Sequence, residues 1–159
     1  MQKKIMFVCM GNICRSPLAE AVFHKMISEN NLHDKYLSDS SGVTGYHIGE
    51  RADHRMRETA SGHGVIINHR AKKLTQKHIR EYDLVLAMDY SNMQEIKQIA
   101  GNIFNSEKIK MFRDFDPVQN DGKEVPDPYY GCPKGFDNVY TIVERTCKSL
   151  LDIMEKQNA

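Results

Sequence analysis

Residues 3 to 23 read KKIMFVCMGNICRSPLAEAVF, and the order of residue types in this stretch decides the fold. KKIMFVC, residues 3 to 9, is a β-branched and aromatic run that stops just before Gly11. A short continuous apolar run of this kind predicts a strand buried on both faces, as in a parallel sheet. SPLAEAVFHKMISEN follows it. Ser16 is suited to cap a helix there, and Pro17 to open it, where the missing N–H costs nothing. Leu18, Val22 and Met26 form one i, i+4 row and Ala19, Phe23 and Ile27 the next, giving an apolar face wide enough to lie on a sheet.

Working outward, the rest of the chain continues the alternation. YLSDSS (36 to 41) predicts a second strand, and Asp53 opens a helix that ends near the glycines of SGHG (61 to 64). Thr75 to Tyr82 reads as a short helix and DLVLAMD (83 to 89) as a strong strand. Ser91 and Gln94 are spaced as a capping box for a helix through about Ile99, and KIKMF (108 to 112) is a fourth strand. From Phe136 the row Val139, Val143, Cys147, Leu150 and Met154 marks a long amphipathic helix. The expected fold is α/β: one domain over residues 1–159, a doubly wound, four-stranded parallel sheet with helices on both faces, and a phosphate-binding loop after the first strand. In such sheets ligands lie outside the carboxyl ends of the strands, where the winding reverses. Residues 113 to 135, RDFDPVQNDGKEVPDPYYGCPKG, read as a long structureless connection leaving that same end, a length typical of functional loops.

Composition narrows the function classes. Lysine plus arginine (22) nearly balances aspartate plus glutamate (21), so the net charge of +1 gives no footprint for nucleic acid or a membrane surface. The run IMFVCM is too short for a signal-peptide core and no apolar stretch reaches membrane-spanning length, which predicts a cytoplasmic protein without membrane insertion. Cysteines 9, 14, 132 and 147 then read as thiols.

The chemistry is concentrated where the first strand meets the first helix. A loop entering a helix N-terminus aims backbone N–H groups and the positive end of the helix dipole at one point, which makes an anion socket. Gly11 is expected to supply a positive φ, with Asn12 tolerating the turn. Arg15 offers a planar fork that can pair two phosphoryl oxygens. Cys9 lies at the base of the same field. An ordinary thiol, with a pKa of roughly 8.5, is only about 3% thiolate at neutral pH. Bringing one to about 5 takes roughly 5 kcal/mol, within reach of two or three charge-assisted hydrogen bonds and a helix dipole. Loop amides and the Ser16 hydroxyl are the available donors. A proton donor is offered by VPDPYYG, in which Asp127 stands between two prolines and Tyr129 and Tyr130 can wall an aromatic pocket. No G-x4-GK[ST], G-x-G-x-x-G, H-E-x-x-H or paired C-x-x-C occurs, so neither a nucleotide cofactor nor a metal has a motif here.

VCMGNICRSPLAEAVF together with DPYYG resembles the low-molecular-weight protein tyrosine phosphatase family, and DSSGVTGYHIG, HRAKKLT and MDYSNM resemble its intermediate segments in order. The resemblance implies that Cys9 attacks phosphorus, that Asp127 protonates the leaving phenol, and that Arg15 and the amides of Met10, Gly11, Asn12, Ile13, Cys14 and Arg15 hold the phosphoryl oxygens. It further implies that Ser16, Ser40 and His69 hold Asn12 in a strained conformation, and that Tyr46, Tyr129 and Tyr130 line the substrate cleft. Asp89 is left to pair with Arg15 or to cap a helix. Cys14 would form a reversible disulfide with Cys9. No cofactor is implied, and the partners are phosphotyrosine-containing proteins, with phosphate or similar oxyanions as product or inhibitor. His63 and the charge-rich stretch 53 to 60 read as a solvated face. A thiol-dependent arsenate reductase shares this fold and loop, but residues 80 to 92 carry none of the relay cysteines that chemistry needs. A cysteine-phosphorylated sugar-transport subunit would need no arginine clamp, and a phosphotyrosine-binding module would need neither nucleophile nor acid.

Overall fold

The computed structural model describes residues 2–129 and 133–157. Its strands are β1 (Lys3–Cys9), β2 (Tyr36–Gly42), β3 (Leu84–Ala87) and β4 (Ile109–Met111), and its helices α1 (Arg15–Glu29), α2 (His54–Gly62), α3 (Gln76–Glu81), α4 (Tyr90–Ala100) and α5 (Pro133–Gln157). The four strands form one parallel sheet in the order β2-β1-β3-β4. The register runs from Lys3 beside Tyr36 to Cys9 beside Gly42, and from Ile5 beside Leu84 to Val8 beside Ala87. The chain goes from β1 to one side and then returns to add β3 on the other. The winding therefore reverses between β1 and β3, and a crevice opens beyond their carboxyl ends.

Alternation along β1 feeds two cores, one on each face. Ile5, Phe7 and Cys9 pack with the buried faces of α1, α2 and α5, including Leu18, Phe23, Met56, Val143 and Leu150. Met6 and Val8 face the other way, onto Ile79 of α3 and Ile96 and Ala100 of α4. Phe7 meets Phe23 and Phe112 edge-on, with ring centroids 5.9 and 5.5 Å apart. This geometry adds about 1 kcal/mol per pair to the area buried. A rigid sheet edge results, and the site stands on it.

Three expectations need correction. The N-cap of α1 is Cys14, so Pro17 is the third helical residue, still among the first four whose N–H groups lack a partner in the helix. Asp89 rather than Ser91 caps α4, its carboxylate accepting from the Asn92 N–H at 2.7 Å. Residues 113 to 135 are not structureless: a 3-10 turn covers Phe112–Phe115, and α5 begins at Pro133, before Phe136. The turn is wound around Arg113, which is 1% exposed. Its guanidinium donates to the Glu124 and Val118 carbonyls, each at 2.8 Å, and to Asp116 at 2.8 Å and Asp121 at 2.7 Å. Tyr130 and Cys132 lie outside the described residues.

Candidate active site

β1 delivers Cys9 to the crevice, and the chain turns through residues 10 to 14 into α1. The carbonyls of Cys9 and Met10 accept from the N–H groups of Val43 and Thr44, each at 3.0 Å, and that of Ile13 from Asp53 at 2.7 Å. In a trans peptide the next N–H points opposite to the carbonyl. These outward carbonyls therefore turn the N–H groups of Met10, Gly11 and Cys14 toward the concave side. With the start of the α1 dipole behind it, that concavity can hold an anion.

The turn is made by Asn12 at φ 60°, whereas Gly11 is not at positive φ. Gly11 answers a need for space instead, because a Cβ there would stand 2.9 Å from His47 Cδ2. Gly42 is tighter still. A Cβ there would lie 2.7 Å from the Met10 carbonyl oxygen and 3.0 Å from the Asn12 nitrogen, and backbone cannot give way as a side chain can. The Asn12 amide donates to Ser16 Oγ at 2.8 Å and Ser40 Oγ at 3.0 Å. Its oxygen accepts from the Lys72 N–H at 2.9 Å and lies 2.7 Å from His69 Nε2.

Behind Asn12 lies a polar cluster. His69 Nδ1 faces Glu20 Oε1 at 3.1 Å, and Ser40 donates to the same oxygen at 2.6 Å. Burial pushes the Glu20 carboxyl up to about 7, against the Ser40 hydrogen bond that favours its charged form. Burial also holds the His69 imidazole below its usual value, opposed by nearby Asp39. Among the described residues, Glu20, Asp39 and His69 are the group whose ligand atoms could gather round a cation. Each already has a protein partner: Ser40 for Glu20, Lys72 and Tyr82 for Asp39, and Asn12 for His69.

Cys9 is 3% exposed, and its sulfur lies 2.9 Å from Ser16 Oγ. Arg15 is equally deep, at 2%. One terminal nitrogen donates to Asp89 Oδ2 at 2.7 Å and to the Val125 carbonyl at 2.9 Å, and the other to Asp127 Oδ2 at 3.4 Å. Burial alone would lower the guanidinium pKa; Cys9, Asp89 and Asp127 outweigh it, and the net shift is upward. Asp89 both pairs with Arg15 and caps α4, using one oxygen for each. The Cys14 thiol is pushed well up by burial, with the charges of Asp53, Cys9 and Asp127 adding to the effect.

Cys9, Cys14, Arg15 and Asp127 open onto one cleft of about 270 Å³ whose remaining walls include Met10, Ile13, Tyr46 and Tyr129. It can take an anion at the floor and a flat apolar group between the walls. His47 also lines it, its ring 6.3 Å from that of Tyr129. Sequence reasoning missed His47, Val125 and Gly42, and it set Arg55 aside on a solvated face. Only Gly42 carried a signal, as a glycine following a run of small polar residues at the end of a strand. His63 is exposed, as that reading has it, and its ring stacks on Tyr140 with centroids 3.8 Å apart.

Comparison with known proteins agrees along the whole length. A family model described as low molecular weight phosphotyrosine protein phosphatase matches residues 4–159. The chain is 36% identical over 151 residues to the low molecular weight phosphotyrosine protein phosphatase of Gallus gallus, covering 94% of each. It is 36% identical over 158 residues to the low molecular weight protein-tyrosine-phosphatase of Streptomyces coelicolor, covering 99% of this chain and 96% of that one. A crystal structure of a protein tyrosine phosphatase from Entamoeba histolytica, with Hepes in its active site, superposes with a TM-score of 0.91 at 37% identity, covering 99% of this chain and 100% of that one. No helix among the described residues is long and apolar enough to cross a membrane.

Proposed function

Because the chain belongs to the low molecular weight phosphotyrosine protein phosphatase family, we propose that it hydrolyses phosphotyrosine in proteins, and simpler aryl phosphates, through a cysteinyl-phosphate intermediate. The Cys9 sulfur attacks phosphorus, the bond from phosphorus to the phenolic oxygen breaks, and Asp127 gives that oxygen its proton. Water then attacks the cysteinyl-phosphate and passes a proton to Asp127. The S–P bond breaks and inorganic phosphate leaves. Arg15 and the amides of residues 10 to 15 hold the equatorial oxygens in both steps, supplying the charge stabilisation that metal ions supply in other phosphoryl transfers. Tyr46 and Tyr129 flank the ring, and Ser16, Ser40 and His69 keep Asn12, and so the loop, in shape. The observation that carries this reading is that Arg15 reaches Asp127 across the cleft holding Cys9, at 3.4 Å, over a separation of 112 residues.

The reading extends to a cytoplasmic setting and to oxidation. Peroxide would convert the Cys9 thiolate to a sulfenic acid, and the Cys14 thiol would condense with it to a disulfide with loss of water. Arsenate reduction is not favoured, since residues 80 to 92 bring no cysteine to the site. Turnover of phenyl phosphate and p-nitrophenyl phosphate in the presence of a chelator tests the assignment. Cys9→Ser should abolish it. Asp127→Asn should lower kcat/KM, which reports the step in which the phenol departs, by about 10² or more for phenyl phosphate and far less for p-nitrophenyl phosphate. Activity restored only by added metal, or equal losses on the two substrates, would overturn the assignment.

A further inference from the structure

Asp127 hangs from two supports. One is Arg15, at 3.4 Å; the other is the Tyr129 N–H, which donates to Asp127 Oδ1 at 3.0 Å. The first is weak and must be shared, because Arg15 is the side chain that clamps the phosphoryl group. The second is only as firm as the segment around Tyr129. Arg55, in the first turn of α2, reaches that segment. Its Nη2 donates to the Tyr129 carbonyl at 2.9 Å, and its guanidinium lies 5.5 Å from the Tyr129 ring centroid and 4.7 Å from that of Phe136. Asp53 aims it, accepting from Arg55 Nε at 3.1 Å and Nη2 at 3.0 Å. The Asp53 backbone N–H is the group that donates to the Ile13 carbonyl in the phosphate loop, at 2.7 Å.

These contacts form a continuous chain from the loop that holds phosphate, through Asp53 and Arg55, to the backbone flanking Asp127. We propose that Arg55, aimed by Asp53, is a positioning residue that sets the distance between the Asp127 carboxyl and the phosphate loop. The proposal rests on Asp127 being the general acid. An ion pair whose arginine side chain is 44% exposed adds little to stability, so holding the fold together does not account for the arrangement. Placement does, since about 1 Å of misplacement at a reacting group can cost on the order of 10² in rate. Arginine suits the task because its planar fork serves Asp53 and Tyr129 together while its face lies against two rings.

Arg55→Met keeps the apolar stem and removes the fork. It should lower kcat/KM for phenyl phosphate about tenfold and for p-nitrophenyl phosphate less than about threefold, because only the poorer leaving group depends on a well-placed acid. Inhibition by inorganic phosphate should stay within about twofold, the loop itself being intact. Combined with Asp127→Asn, Arg55→Met should add no further leaving-group effect, since the two act as a unit. Arg55→Lys, which keeps the charge without the fork, should fall between wild type and Arg55→Met, and it carries the comparison if the methionine variant does not fold. Equal losses on both substrates, or a full additional loss in the Asp127→Asn background, would overturn the proposal while leaving the acid in place. If Asp127→Asn alone shows no leaving-group effect, the acid assignment fails and this proposal fails with it.

Discussion

All four hydrogen-bonding positions of the Asn12 carboxamide are taken, two as donor to Ser16 and Ser40 and two as acceptor from His69 and Lys72. The residue also holds φ 60°, a region in which an ordinary side chain costs roughly 1 kcal/mol or more. Asparagine is thus asked for two things at once, and they can be separated. Asn12→Gly keeps the backbone freedom and loses the amide; Asn12→Ala loses both. We expect both variants to weaken inhibition by inorganic phosphate, and urea denaturation to find the alanine variant less stable than the glycine variant by about 1 kcal/mol. Equal stabilities would mean that the strain is relieved elsewhere in the loop. Cys9, Asn12, Arg15 and Ser16 were legible in sequence because one local turn brings them together. Asn12's partners Ser40 and His69 were visible only through family resemblance, and Lys72 and Arg55 not at all. A charged residue in the first turn of a polar helix looks the same whether it faces water or a carbonyl 74 residues away.

Among the elements, type and order follow the sequence periodicity, and the differences fall at ends where side chains are diverted. Ser16 does not cap α1 because its hydroxyl is committed to Cys9 and Asn12. Asp89 takes the cap of α4 because it already stands at the end of β3 facing Arg15. The segment from 113 to 125 reads as bare loop in sequence because its order comes from a buried ion cluster, which leaves no period. Asp116 is the buried anion of that cluster. It accepts from Arg113 at 2.8 Å and from Arg145 of α5 at 2.8 and 2.9 Å, so it ties the segment to the helix. Burial would raise its carboxyl pKa, but the hydrogen bonds from Arg145, the Val118 N–H and Arg113 outweigh that and hold it at about 2. A carboxylate held below its unfolded value stabilises the fold above that value, near 3.8, and the gain is lost as pH falls toward 2. Asp116→Asn should cost about 3 kcal/mol at neutral pH, since it removes the buried carboxylate that Arg113 and Arg145 share, and its difference from wild type should shrink between about pH 4 and 2. Melting temperatures across that range give the answer, and a gap independent of pH would remove the ion cluster from the explanation.

At the scale of the whole molecule, the strand order β2-β1-β3-β4 does the assembling. It puts the ends of β1 and β3 side by side, with Val8 beside Ala87, so Cys9 and Asp89 both leave at that edge although they are 80 positions apart in sequence. Alternation of strands and helices was enough to foresee that crevice. What it could not supply was the route by which a connection of low periodicity returns to it. The return is made at Val125, fully buried, whose N–H donates to the Met88 carbonyl at 2.8 Å and whose carbonyl accepts from Arg15. A backbone pinned on both sides at one residue does not swing as a single flap. In deuterium exchange, the Val125 amide should be a slow island between the exposed residues Lys123 on one side and Asp127 on the other, whose amides exchange quickly. An oxyanion in the cleft should slow it further by recruiting Arg15, whereas exchange at one common rate from 118 to 129 would mean that the pin opens with the loop. The segment is then two short arcs about a fixed post, and a change of sequence in the outer arc reaches the chemistry only by moving that post.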